Sequence, residues 1–176
     1  MKTNVAIIGF MGAGKTTVAR ALAKRLKREY IELDTMIERK AGKSIKDIFS
    51  QDGEIVFREY EIEVTKDISD SRDMVIACGG GIILNQINID RLRKESVIVY
   101  LDVSTRVLLN RVEDTETTRP LLNNGDKQLR IRKLLAFRKP LYERVADITI
   151  NTTRLDVDSV VDELANILKR HESYIK

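Results

Sequence analysis

"NVAIIGFMGAGKTT", residues 4–17, joins an apolar β-branched run to a glycine-rich loop and then to the start of a helix. Gly9, Gly14, Lys15 and Thr16 match the pattern G-x-x-x-x-G-K-[ST] without deviation. Glycines let backbone N–H groups approach phosphate oxygens closely, and the helix N-terminus adds partial positive charge. In this pattern the lysine reaches the β and γ phosphates and the following hydroxyl, here Thr16, can ligate Mg²⁺. A plain structural turn would use glycines too, but it does not require a strand before and a helix after. The loop therefore implies a nucleoside triphosphate with Mg²⁺.

Beyond the loop, short apolar runs alternate with longer amphipathic segments. "YIEL" (30–33), "MVIAC" (74–78), "VIVYL" (97–101) and "DITIN" (147–151) read as further strands. Helices are expected from Thr16 to about Lys27, from Asp34 to Gly42, and from about Asp52 to Ser69. Others are expected over Ile87–Lys94, from Ser104 to about Val112, from Lys127 to about Val145 and from Asp156 to about Arg170. "SIKD" (44–47) has the look of a capping box. Pro140 should kink or break its helix. Residues 113–126, "EDTETTRPLLNNGD", read as a polar loop. Alternation of this kind argues an α/β fold, a parallel sheet covered on both faces. There are no repeats or low-complexity linkers, so one domain over 1–176 is the simplest account.

Bulk properties exclude some functions. The 176 residues are 43% hydrophobic and 33% charged, enough for a core and a solvated surface. No apolar run approaches the ~20 residues of a membrane span. "MKTNVAIIGF" lacks a signal peptide's length and cleavage site, so a cytoplasmic protein with no membrane partner is expected. The net charge of +4, from 31 basic and 27 acidic residues, is a mild excess. Its densest cluster is Arg130, Arg132, Lys133, Arg138 and Lys139, read either as solvated helix faces or as a site for a small anion. Nucleic acid is not expected, because there is no recognition motif and only 5% of residues are aromatic. The even charge suits a monomer. One cysteine, Cys78, excludes an internal disulfide and reads as a buried, inert thiol. His171 reads as exposed helix-end filler, and with one His and one Cys a zinc site has no ligand set.

A GTPase switch would show N/T-K-x-D, whereas "VTKDIS" (64–69) places its Asp one position early. A small-molecule kinase fits the length better. Three segments bear on its acceptor. In "ELD", Glu32 and Asp34 are two apart at a strand end, so both can face the phosphate loop. An acid there can order Mg²⁺ waters or accept a hydroxyl proton, although Asp34 could equally be a plain helix cap. In "FREYE", Arg58 and Glu61 are three apart on a helix face. Either they form a surface salt bridge, or Glu61 holds Arg58 rigid so that its planar fork grips a carboxylate. In "CGGGI", Gly79, Gly80 and Gly81 form a turn or bring backbone against a ligand.

Taken together, "GFMGAGKTT", "LDTMIE", "FREYE", "GGG", "RPLL" and R-K-P-L-Y resemble the shikimate kinase family, in order, from residue 5 to about 165. The resemblance implies a P-loop, nucleoside-monophosphate-kinase-like fold: a five-stranded parallel sheet in the order 2-3-1-4-5 flanked by helices. It adds a substrate-binding region at about 34–61 and a mobile lid at about 113–126. It implies ATP-dependent phosphorylation of the 3-hydroxyl of shikimate, on the way to chorismate and the aromatic amino acids. Gly12, Ala13, Gly14, Lys15, Thr16 and Thr17 would cradle ATP, with Arg111 packing on adenine and Arg119 closing over the γ-phosphate. Asp34 would take the ring hydroxyls as base or orienter. Arg58 and Arg138 would hold the carboxylate, and Gly79, Gly80 and Gly81 would line the ring. Lys15, Asp34 and Arg119 would be catalytic, with Thr16 and, through water, Glu32 on Mg²⁺. The family usually has Asp where Glu32 stands, and it often has a proline beside adenine that "NTTRLDVD" lacks. The alternatives are a related sugar-acid kinase such as gluconate kinase, or a non-catalytic nucleotide-binding homologue.

Overall fold

A computed structural model describes residues 2–113 and 127–171. The apolar runs form five strands: β1 (Asn4–Ile8), β2 (Glu29–Glu32), β3 (Met74–Ala77), β4 (Ser96–Asp102) and β5 (Ile148–Asn151). They pair in parallel in the order β2-β3-β1-β4-β5, as the resemblance implies. β1 is buried along its whole length, whereas β5 alternates buried and exposed residues, the pattern of an edge strand with one face in water. The register sets Ile7 beside Ala77 and Ile8 beside Tyr100. The carboxyl ends of β1, β3 and β4 are therefore level, and the loops that follow meet at one edge.

Helices cover both faces. α1 (Lys15–Leu26) buries Val18, Ala19, Leu22 and Ala23, and ends where Lys27 turns left-handed. Against it packs α8 (Val157–Arg170), which buries Val160, Val161, Leu164, Ala165 and Leu168. Asp156 caps α8 by accepting the Ser159 N–H at 2.8 Å, which favours its charged form and lowers its pKa. Next to β2 stand α2 (Leu33–Ala41), one turn of α3 (Ile45–Asp47), a π-helical turn over Ile48–Asp52, and α4 (Gly53–Asp67). The chain continues through α5 (Gln86–Glu95), α6 (Thr105–Glu113) and α7 (Lys127–Val145). No described helix is long and apolar enough to cross a membrane.

Most expected boundaries agree within two residues, and Ser44 caps α3, its hydroxyl accepting from Asp47 N–H; the Asp47 carboxylate accepts from the Ser44 hydroxyl rather than from its N–H, so half of the expected capping box forms. Three other details differ. Asp34 is not a cap: Glu32 holds the N-cap position of α2, and Asp34 lies inside the first turn. Pro140 does not break α7, which runs on to Val145. The missing N–H deprives the Ala136 carbonyl of a partner, but Ala136 is exposed and water can serve it. His171 is half-buried at the C-cap of α8 rather than exposed. Cys78 is buried as expected, and burial pushes its thiol well above the ordinary range.

Candidate active site

The phosphate loop connects the end of β1 to the start of α1. Gly12 and Gly14 take φ of 79° and 87°, a left-handed conformation that side chains resist. This turn leaves Thr16 and Thr17 exposed in the first turn of α1, where no acidic residue opposes an anion. Lys15 Nζ donates to the Phe10 carbonyl at 3.0 Å, which folds the ammonium back over the loop. Arg111, on α6, donates to the Gly12 carbonyl at 3.1 Å. The first turn of a helix presents N–H groups that have no intrahelical acceptor. Glycine turn, helix N-terminus, lysine and hydroxyl together suit a polyphosphate and its divalent cation.

A cavity of about 610 Å³ opens beside this loop. Gly12, Gly14, Lys15 and Thr16 line one side, and Asp34, Arg58, Glu61, Gly79, Gly80, Gly81 and Arg138 line the other. Residues far apart in the chain thus converge as expected.

The acceptor side is built on α4. Arg58 Nη1 donates to Glu61 Oε2 at 3.0 Å, and Nη2 donates to Glu54 Oε1 at 2.9 Å. Burial disfavours charge on Arg58, yet the two carboxylates outweigh it and raise its pKa above the ordinary value. Glu61 is only 1% exposed, and burial pushes its carboxyl up despite the opposing pull of Arg58. On α7, Arg138 is 3% exposed, so it departs from the solvated-face reading that suits Arg130 and Arg132. Its Nη1 reaches the Gly80 carbonyl at 3.4 Å, and the Tyr142 hydroxyl donates to the same oxygen. Lys139 pairs with Asp102 at 3.0 Å, which ties α7 to the end of β4.

The three glycines make room. A Cβ on Gly79 would meet Asp34 Oδ1 at 2.9 Å and one on Gly81 would meet the Arg58 guanidinium, whereas one on Gly80 would make an ordinary contact with the Gly9 carbonyl at 3.5 Å. None of the three takes a positive φ, so close approach rather than backbone freedom explains Gly79 and Gly81. Two buried polar atoms in the cavity wall, Glu61 Oε1 and Arg138 Nε, have no hydrogen-bond partner among the described residues. Such atoms are costly unless a ligand or water meets them.

Glu32 and Asp34 do not share a strand face, because β2 ends at Glu32 and the helix has begun by Asp34. Asp34 lines the cavity, whereas Glu32 accepts a hydrogen bond from the Tyr30 hydroxyl. Ala13 and Thr17 line a second cleft of about 270 Å³ on the far side of the loop. Arg111 forms one wall of it, with Thr152, Leu155 and Val157 opposite. Arg119 and the expected lid at 113–126 lie outside the described residues, save Glu113 at the end of α6.

Sequence reasoning missed Glu54, which helical spacing could have found four residues before Arg58. The motif R-K-P-L-Y carries Tyr142, four after Arg138, but no role was assigned to it. Phe49 and Phe57, whose rings lie 4.7 Å apart, also line the cavity; Phe57 opens "FREYE" without an assigned role, and Phe49 lies in the π-helical turn, which has no sequence mark.

A family model of shikimate kinase matches residues 11–169. The chain is 39% identical to a shikimate kinase of Pelotomaculum thermopropionicum, over 98% of this chain and 99% of that one. It is 41% identical to one of Thermodesulfovibrio yellowstonii, over 96% and 95% of the two chains. A solved shikimate kinase from Acinetobacter baumannii in complex with shikimate superposes with a TM-score of 0.91 and 35% identity, covering 98% of this chain and 96% of its own.

Proposed function

The chain belongs to the shikimate kinase family, whose members phosphorylate shikimate with ATP, and from that premise we propose which of its residues carry the reaction. Phosphoryl transfer of this kind feeds the synthesis of aromatic amino acids. The observation that carries the assignment is the pairing, in one cavity, of Lys15 and the loop with Arg58, Arg138 and the unpartnered atoms of Glu61 and Arg138. A carboxylated, polyhydroxylated ring supplies what that wall needs: a planar anion for the guanidinium groups and hydroxyls for the orphaned atoms.

Asp34 lies against Gly79 at the mouth of the loop and takes the proton of the attacking 3-hydroxyl. The new O–P bond forms as the bond between the γ-phosphorus and ADP breaks, so the products are shikimate 3-phosphate, ADP and a proton. Lys15 and the loop N–H groups stabilise charge on the phosphoryl oxygens as it develops. Arg119, known here only from the sequence, adds a second cation. Thr16 would hold Mg²⁺, with Glu32 acting through a water; when bound, the ion would neutralise charge on the transferring phosphates. Among the described residues no three acids, His or Cys cluster to cage a metal, which suits an ion held mainly by phosphates and water. Gly12, Ala13, Gly14 and Thr17 hold the remaining phosphates. Adenine enters the second cleft, between Arg111 and the apolar side chains of Leu155 and Val157, which replace the missing proline as its far wall.

A related sugar-acid kinase such as gluconate kinase is not favoured, because the likeness to shikimate kinases runs at 39% identity over 98% of the chain. A coupled ADP-release assay with ATP and Mg²⁺ against shikimate, quinate and gluconate tests the assignment. Turnover with shikimate is expected, and none with shikimate would overturn it.

A further inference from the structure

Arg58 is held by two carboxylates that differ in kind. Glu61 is buried, 1% exposed in its side chain, and takes Nη1 at 3.0 Å. Glu54 is 46% exposed and takes Nη2 at 2.9 Å. The guanidinium itself lies against Gly81 in the cavity wall. Glu54 sits in the first turn of α4, directly after Gly53 (φ 86°) and the π-helical turn. Glu54 does not line the cavity, whereas Arg58 and Glu61 do.

We propose that Glu54 is a built-in stand-in for the substrate carboxylate, so that shikimate binds Arg58 by exchanging one carboxylate for another. The proposal rests on the reading of Arg58 as the carboxylate clamp. A guanidinium grips a carboxylate best through two parallel N–H donors. The Nη1 donor is committed to a buried partner that cannot move away without leaving a charge stranded. The Nη2 donor is committed to an exposed partner that water can receive at little cost. Nη2 is therefore the donor that a ligand in the cavity can win at least cost, and Glu54 Oε1 is the partner it is drawn from. Without a ligand, Glu54 keeps Arg58 extended and neutralised. With a ligand, Glu54 turns outward. The bland alternative is that Glu54 only supports the start of α4, since an acid there suits the helix dipole and precedes its basic partner by four residues.

Calorimetric titration of shikimate into the full chain separates these readings. Exposed pairs of this kind are weak, so Glu54→Gln and Glu54→Ala should tighten shikimate binding only about two- to fivefold. Glu59→Gln, which removes the same charge from another exposed position on α4, should leave the dissociation constant unchanged. Arg58→Ala should weaken binding, and adding Glu54→Gln to it should have no further effect. Unchanged or weaker binding by both Glu54 variants, while Arg58→Ala still weakens it, overturns the exchange and leaves the clamp standing. Unchanged binding by Arg58→Ala overturns the clamp and the exchange together.

Discussion

The guanidinium of Arg58 occupies the space that a side chain on Gly81 would need. A Cβ built on Gly81 would stand 2.8 Å from Arg58 Cζ, with both terminal nitrogens closer still. The backbone at Gly81 is ordinary, with φ of −102°, so alanine would cost little in conformation. The flexible arginine would yield instead. Gly81→Ala should therefore fold normally and move Arg58 off its carboxylates. Loss of one charge-assisted contact of about 1.5–3 kcal/mol predicts an apparent shikimate KM raised about tenfold or more. The melting temperature should fall as well, because Glu61 stays buried without its cation. Steady-state kinetics beside a thermal melt check this; an unaltered KM would mean that Arg58 has room to spare.

Lys15 donates a hydrogen bond to the Phe10 carbonyl, within the loop itself. Lys15→Ala removes a positive group aimed at developing charge without opening a core cavity. A loss of at least about 100-fold in kcat is expected, by the scale of removing one preorganised donor. Circular dichroism should be unchanged. Activity near that of the parent would remove the loop lysine from the mechanism.

How much of this was legible beforehand depends on the range of the interaction. The loop and the Arg58–Glu61 pair were legible, because each rests on neighbours within one turn or one helix face; the strand order, which pairs strands distant in the chain, came only from the resemblance. For Asp34 the spacing left a cap and a place in the cavity wall equally open, since its position turned on where β2 gives way to α2. Arg138 looked like one charge in a basic helix; only tertiary packing beneath Gly80 and Tyr142 shows it buried. The purpose of the glycine triplet was half legible. Its backbone needs no positive φ, and the demand for space comes from Asp34 and Arg58, which lie 45 and 23 residues away from Gly79 and Gly81 in the chain.

Cys78 closes β3 beneath the site and is 1% exposed. Burial raises its thiol far above the ordinary range, and the neighbouring Lys15 only partly offsets this. Thiolate is the reactive form, so the native protein should resist alkylation. Iodoacetamide at neutral pH should label less than about one molecule in ten over an hour and leave activity intact, whereas denaturant should expose one full equivalent. Rapid labelling of the folded protein with loss of turnover would show that the thiol is accessible.

Glu61 should make stability and substrate affinity run in opposite directions over one pH window. Its folded pKa lies above the ordinary glutamate value, because burial outweighs the pull of Arg58. Folding therefore favours the protonated form. The stability it contributes is fully present below the unfolded pKa and is lost as pH rises through the folded one. Anchoring of Arg58 needs the ionised form and follows the reverse course. Urea unfolding from about pH 4 to pH 7 should show the stability of the parent, relative to Glu61→Gln, falling as pH rises. Over the same range, the apparent shikimate KM of the parent should climb on acidification. Glu61→Gln, lacking the titrating group, should show only the changes common to both proteins, including those of shikimate's own carboxyl. Parallel profiles for parent and variant in both measurements would show that Glu61 does not couple burial to the hold on Arg58.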